Sequence, residues 1–516
     1  KPGINSPFVT ALMVFPPQFI FTLLQTTIQT LAVDISKDLK IQVNQIQWLS
    51  HIENMVLCSL ASVSNRIFAR FGVQRCYLTG SYIVAVANFV IFLFPTFWPI
   101  ICMRAISAFG FAIVIPATIS MANYFVIPSK VESGLAVTGV VIPVAYIVST
   151  FFGGWISQTI GWQWMFLIGS LVGVFYAIII SFLMPLPKGN KAIKFDLVGF
   201  ALMSIFPATS ILGIGFLLLD SIPYWVSGLL IGVSILSISF FFVYNKRWSF
   251  HKVIPLPVLN PNTITFLMSY LVMCIGVQAD TFFQPILWQN VFKFSSVMNG
   301  VLIGVCKVVQ LPFALAYAKV IKRVTVKYIT TFCSVAFIVL YVLQILSLQF
   351  WPNLYLIEVL NLLSAIIFMQ NHVAIQVYNV VGSPKMYGPI SSSYVGFCNK
   401  YSWSVGVAIS TLIQQTALPH LQNSSKNQYL ISVQLAYCFG ILILIASAVL
   451  SSRIGIFSWE RGRVGFKESK LLNFKTYDEL RENNNELQEV NEEDGQNITN
   501  TQEYINMACW KFAQVL

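Results

Sequence analysis

Five charged side chains stand inside runs that are otherwise apolar. Glu53 lies near the middle of a run at 45–65, Asp280 within 263–288, Arg104 within 98–126, Lys307 within 297–318 and Lys400 within 387–417. A charge at the centre of a membrane helix costs about 2.5–3.5 kcal/mol on the insertion scale, so such residues face a bundle interior or a wet cavity. A desolvated carboxylate holds its proton more tightly, and a nearby cation loosens it again. Such an acid can exchange a proton for a substrate or a basic partner. Glu53 and Asp280 are the deep acids and the candidate proton carriers; a static salt bridge between helices is the competing role for each. Lys307 and Lys400 either neutralise these acids or bind an anionic substrate group in a cavity. Glu358 sits about a turn inside the run at 353–380 and reads as structural. His51 and His372 read as polar, cavity-facing or hydrogen-bonded side chains.

The elements that must hold these residues are membrane helices. Of 516 residues 56% are hydrophobic and only 10% charged, with a mean hydropathy of +0.73. Soluble domains carry about 25% charged residues. Fourteen apolar segments are expected, near 11–33, 45–65, 76–95, 98–126, 134–155, 164–185, 197–218, 223–244, 263–288, 297–318, 328–350, 353–380, 387–417 and 429–451. Most are about the length a bilayer requires. The fold class is therefore all-α integral membrane.

The loops alternate in charge. Arg66, Arg70, Arg75, Lys130, Lys188, Lys191, Lys194, Lys246, Arg247, Lys252, Lys319, Lys322, Arg323, Lys327 and Lys385 fall on one side, while Lys37, Lys40, Lys293 and Lys426 fall on the other. Basic loops stay in the cytoplasm, so both termini are expected there. The sequon at Asn423 then falls in an outside loop, where it can be glycosylated. Residues 464–516 hold 5 basic and 10 acidic residues. That polar stretch lacks the apolar surface to fold alone and reads as a solvated tail.

Several function classes lack their residues. No nucleophile–base pair, HExxH, metal cluster or GxxxxGK[ST] loop is present, so neither an enzyme nor an ATP-driven pump is expected. No cofactor and no metal are expected. The nine cysteines form no CxxC pair and read as small buried residues. The basic balance belongs to topology and does not point to nucleic acid. The opening residues do not follow the charged, apolar, small-residue order of a cleavable signal.

Four motifs resemble the major facilitator superfamily, and within it the fourteen-helix drug:proton antiporter branch. After the second span, Asn65-Arg66-Ile67-Phe68-Ala69-Arg70-Phe71-Gly72-Val73-Gln74-Arg75 resembles the family's basic turn, with Ala69 where the family has Asp. Arg104, Gly110, Ala112 and Pro116 resemble the fourth-helix motif, whose Arg is implicated in proton coupling. In the fifth span, Ala136, Ala145, Ser149, Gly153 and Gly154 occupy the Gly positions of the antiporter motif, and Thr150 replaces its Pro. Gly161-Trp162-Gln163-Trp164-Met165-Phe166-Leu167-Ile168 follows as a near match to the family run. Leu24-Gln25-Thr26-Thr27-Ile28 resembles the first-helix signature, but Gln25 replaces its protonatable acid, while Glu53 stands where the family commonly has Tyr. A transferred acid is the economical explanation. These departures resemble the fungal aminotriazole- and boron-resistance exporters.

The resemblance implies two six-helix bundles at 1–185 and 263–451. It also implies two extra central helices within 186–262 and a cytoplasmic tail at 452–516. It implies a proton-coupled exporter of small toxic compounds, monomeric, in the plasma membrane or the vacuolar membrane. Its partners are a small-molecule substrate, protons and the lipid bilayer. Glu53, Asp280 and Arg104 would couple protons, and Gln25, Lys307 and Lys400 would line the cavity. Arg66, Arg70, Gly72, Arg75, Ala145, Ser149, Gly153 and Gly154 would serve conformational change. A vacuolar basic amino acid carrier, a siderophore carrier and a non-transporting nutrient sensor are the alternatives.

Overall fold

A computed structural model describes residues 7–41, 43–61, 64–125, 131–183, 196–219, 222–249, 261–321, 326–351, 353–381, 388–420 and 428–454. Asn423 and the acidic tail lie outside the described residues, and so do the side chains of Asp280, Arg66 and Ala136.

The described chain is helical throughout. In order the helices are α1 (Pro7–Thr30), α2 (Ala32–Leu39), α3 (Gln47–Ala61), α4 (Ser64–Phe71), α5 (Val73–Leu93), α6 (Phe97–Phe125), α7 (Val131–Thr159) and α8 (Trp164–Leu183). Then follow α9 (Leu197–Phe216), α10 (Tyr224–Arg247), α11 (Pro261–Ile286), α12 (Ser296–Ile321), α13 (Val326–Phe350), α14 (Leu354–Val381), α15 (Gly388–His420) and α16 (Gln428–Ser452). Among the described residues nine helices are long and apolar enough to cross a membrane, and Pro16–Thr30 with Ala32–Leu39, bent by 71°, makes a tenth. The segments near 45–65, 134–155, 297–318 and 387–417 are helical too, but run into residues that are not fully described.

Helices α1, α3 and α5–α8 pack on one another, and α11–α16 do the same. Each group has its own apolar core. Phe21, Leu24, Phe111 and Phe166 anchor the first, and Phe266, Phe283, Trp288 and Phe337 the second. The groups meet along two seams, α7 against α12 and α3 against α15. Helices α9 and α10 form a pair. Its near member, α9, lies against both α3 and α15 and so covers their seam. Ser59 Oγ donates to the Ser204 carbonyl at 3.1 Å, and Ser204 Oγ returns the bond to the Ser59 carbonyl at 2.7 Å. On the other flank Phe206 lies 5.3 Å from the Tyr401 ring. Asp196 caps α9 through the Gly199 amide at 2.9 Å and accepts from Tyr244 at 2.9 Å, which locks the pair at its base.

Taken as successive spans, the long helices alternate in direction, so two ends can be told apart. One carries Arg70, Gly72 and Arg247; the other carries Lys40 and Gly161. At the Lys40 end the first predicted segment breaks instead of running straight: α1 stops at Thr30 and α2 turns aside. The turn between α7 and α8 is pinned to α2, because Trp162 Nε1 donates to Asp38 Oδ2 at 2.9 Å.

At the Arg70 end, Gly72 has φ +90° and opens α5. A side chain in that conformation is strained by about 1–3 kcal/mol. Gly72→Ala is therefore expected to lower thermal stability by an amount of that order, read by unfolding of the detergent-purified protein. Gly80 and Gly110 permit the close crossing of α5 and α6: a Cβ on Gly110 would meet the Gly80 carbonyl oxygen at 2.7 Å.

Candidate functional site

The polar positions of α1 recur at helical spacing. Gln25 and Gln29 are one turn apart, as are Thr26 and Thr30, so all four lie toward one face. That face looks across the interior toward α11–α16. On the opposite group, Ile303 of α12 shares a face with Cys306 and Lys307, three and four residues on, and Asn361 of α14 shares one with Ser364.

Two polar clusters result. The first joins α1, α3, α6 and α15. Glu53 and Arg104 are both 0% exposed. Arg104 Nη2 pairs with Glu53 Oε2, and Arg104 Nε donates to the Leu49 carbonyl at 3.2 Å. Glu53 Oε1 and Arg104 Nη1 have no hydrogen-bond partner. From the other group, Lys400 Nζ donates to Gln25 Oε1 at 3.3 Å and lies 4.1 Å over the Phe21 ring. Its charge also acts on Glu53 through space. The cluster thus holds two cations, one carboxylate and the neutral Gln25. Beside it, Tyr270 Oη lies 2.6 Å from His372 Nδ1, and Asn399 Nδ2 donates to Tyr270 Oη at 3.1 Å.

The second cluster surrounds a cavity of about 60 Å³ between α1, α7, α11, α12 and α14. Lys307 lines it and lies 5.0 Å over the Tyr146 ring. Its neighbour Cys306 donates to Glu358 Oε1 at 3.1 Å. Gln29, Asn361 and Ser364 also line the cavity. Asn299 Nδ2 of α12 donates to the Thr30 carbonyl of α1 at 3.0 Å, which ties the groups together toward the Lys40 end.

Helix α7 supplies two faces. Ser149 Oγ lies 3.0 Å from Thr27 Oγ1 and donates to the Leu23 carbonyl at 2.9 Å, which binds α7 to α1 within its own group. Ala145 is fully buried. The other face meets α12. A Cβ on Gly154 would stand 2.8 Å from the Ser296 carbonyl oxygen, whereas one on Gly153 would meet nothing nearer than 3.9 Å. A Cβ on Gly304 of α12 would meet the Phe151 ring at 2.5 Å. The small residues of α7 therefore divide: one set holds it to α1 and the other lets α12 approach.

The expected residues thus fall in several places. Glu53, Arg104, Gln25 and Lys400 come together, while Lys307 stands in the separate cavity. Arg70 lies 5.8 Å over the Phe71 ring, and Arg75 is exposed. Asp280 is on α11, with its side chain outside the described residues. His372 is hydrogen-bonded, as expected, while spacing arguments missed its partners Tyr270 and Asn399 and also Gln29, Asn361 and Ser364. The signal was available in α1 as the polar run Gln25 to Thr30.

The sequence matches the family model described as Major Facilitator Superfamily over residues 14–411. An uncharacterized MFS-type transporter of Mycobacterium tuberculosis is 26% identical over 256 residues, 49% of this chain and 43% of that protein. The multidrug transporter protein MdtP of Bacillus subtilis is 21% identical over 262 residues, 50% of this chain and 48% of that one. The efflux pump aflT of Aspergillus parasiticus is 23% identical over 165 residues, 32% of each. The match thus spans less than half the length of each of these relatives. Among solved structures, a POT family transporter bound to a thioalcohol-conjugated peptide superposes with TM-score 0.63 at 11% identity, covering 87% of this chain and 96% of that one. A D-xylose-proton symporter gives TM-score 0.59 at 9% identity, covering 85% and 96%. At such identities the likeness is one of fold.

Proposed function

The chain belongs to the major facilitator superfamily, and from that we propose that it is a secondary active transporter exporting a small toxic compound in exchange for protons. The two helix groups rock about the interior clusters and open them to each side in turn. The Arg70 end faces the cytoplasm, because basic loops are retained there, and the plasma membrane is the site of action. The two helices between the halves, α9 and α10, suit the fourteen-helix drug:proton branch.

One observation carries this reading. Glu53 is shared by a cation of its own half, Arg104, and acted on by a cation of the other half, Lys400. Rocking changes the second distance and leaves the first. The proton balance of the cluster therefore depends on which side is open. Gln25 cannot titrate, so the duty of its missing acid falls to Glu53, with Asp280 as the parallel candidate.

The test is proton release from reconstituted vesicles under an imposed pH gradient, with toxic cations, azoles, borate and basic amino acids added one at a time. Substrate-evoked flux should disappear in Glu53→Gln while substrate exchange at equal pH persists. Flux unaltered in Glu53→Gln and in Asp280→Asn would sink proton coupling through either acid.

A further inference from the structure

The Arg70 end of the protein carries cations that no described acid answers. Arg75 lies in the first turn of α5, Lys246 and Arg247 in the last turn of α10, Lys327 in the first turn of α13, and Arg453 just after α16. Arg75, Lys246, Arg247 and Arg453 are exposed, and Lys327 is half-buried. Among the described residues none of the five has a carboxylate partner. The acid at this end whose side chain is described is Asp196, and it is already engaged. It accepts from the Gly199 amide, from Tyr244 Oη and from Ser249 Oγ, the last at 2.5 Å. The five cations stand on the first half, on the inserted pair and on the second half.

The chain supplies the opposite charge at the same end. Helix α16 delivers the backbone there, and the sequence beyond it turns acidic. Residues 478–503 hold nine acids and one base, a net charge of −8. Residues 455–477 hold five bases and two acids, so the sign reverses sharply at Asp478. Asp478 is 24 positions beyond Ile454. That length reaches about 80 Å at full extension, several times the width of a helix, about 10–12 Å. A single exposed ion pair contributes little, whereas several charges in a network contribute more. Sharing a chain also raises the effective concentration of the two partners. An acidic segment needs no apolar surface to be held in this way.

We propose that residues 478–503 dock by charge on the Arg70 end of the same molecule, across Arg75, Lys246, Arg247, Lys327 and Arg453. Anionic lipid headgroups are drawn to the same kind of cation; the segment has the advantage of its tether and of nine acids in one run. Because the cations belong to both halves and to the pair between them, the docked segment spans the joint. This contact stands apart from the transport reading and holds whatever the substrate is.

The test is zero-length carbodiimide cross-linking of the purified full chain in detergent, read by mass spectrometry. The reagent joins a carboxylate to a lysine amine in contact with it. Cross-links from the acids of 478–503 to Lys246 and Lys327 are expected, with none to Lys37, Lys40 or Lys293 at the other end. Their yield should fall about fivefold in 1 M salt, where the Debye length shrinks to about 3 Å. Arg247→Gln with Arg453→Gln leaves both lysines in place and should lower the yield about threefold, with gel-filtration profile and unfolding temperature preserved. A yield indifferent to salt and to the two substitutions would mark chance collision and overturn the docking. Cross-links confined to Lys467, Lys470 and Lys475 would pair the acids with bases beside them in the sequence and overturn it too. In an equal mixture of unlabelled and 15N-labelled protein, cross-links within one label are expected. A majority of mixed-label cross-links would place the segment on a second copy and overturn the proposal. In nanodiscs with one fifth phosphatidylserine the cross-links should persist. Their loss there would assign the face to lipid headgroups and overturn it.

Discussion

Arg104→Met should be the most destabilising single change in the first half of the chain. The guanidinium and its partner Glu53 are both wholly enclosed. Removing one member of a buried pair leaves the other charged and unsolvated, at about 3–5 kcal/mol. Replacing both by apolar residues of similar volume is often neutral. Glu53→Leu with Arg104→Met should therefore recover most of the loss. The measurement is thermal unfolding of the two single variants and the double variant in one detergent. Arg104→Lys separates charge from geometry. It keeps the cation but forfeits the planar fork that also serves the Leu49 carbonyl at 3.2 Å. An intermediate loss is expected. If the double variant is as unstable as Arg104→Met, the pair is not the source of the effect.

The second large effect concerns two adjacent glycines that sequence alone cannot rank. Gly154→Val should abolish transport, and Gly153→Ala should be nearly silent. At Gly154 the first added carbon already meets the α12 backbone at Ser296, 2.8 Å away. A carbonyl oxygen in a helix cannot step aside as a flexible side chain can. Overpacking of this kind costs about 1–3 kcal/mol, and it is concentrated at the seam where α7 and α12 must close. At Gly153 the nearest atom is Met165 Cε at 3.9 Å, an ordinary contact. Uptake assays on the two variants, normalised to folded protein, check this. Equal activity in both would mean that the α7–α12 approach does not matter to the cycle.

That contrast shows how far the sequence could be read. The membrane class and the placing of the helices follow from the length and spacing of the apolar runs, which are local properties. The charges of the interior were visible for the same reason: Glu53, Arg104, Lys307 and Lys400 interrupt runs that otherwise hold none. Pairing was not visible. Arg104 meets Glu53 from a distance of fifty-one positions, and Lys400 meets Gln25 from 375, so only the packed bundle joins them. The fifth-helix motif located a close approach, but its pattern treats Gly153 and Gly154 alike, and the helix turn that separates them is tertiary in its effect. Gln29, Asn361 and Ser364 went unremarked because amides and hydroxyls are unexceptional in long membrane helices. Their significance is that Gln29 Nε2, Asn361 Nδ2 and Ser364 Oγ are buried without a hydrogen-bond partner. The bend after Thr30 carried no Pro or Gly as a signal, since Leu31 stands at the break.

The placing of α9 has a further meaning for the lipid around the protein. Of the two seams between the halves, α7–α12 is the meeting of two helices and nothing in the described contacts lies over it, whereas α3–α15 is backed by α9 with α10 behind it. The bilayer thus borders a body with one thin flank and one thick flank. At the first joint acyl chains meet the exposed Phe152 and Trp155 of α7 itself. At the second they meet Leu229, Leu236 and Phe240 of α10, all exposed. The insertion between the halves therefore makes a twofold-like molecule lopsided. A greasy molecule dissolved in the membrane faces one helix layer on one side and two on the other.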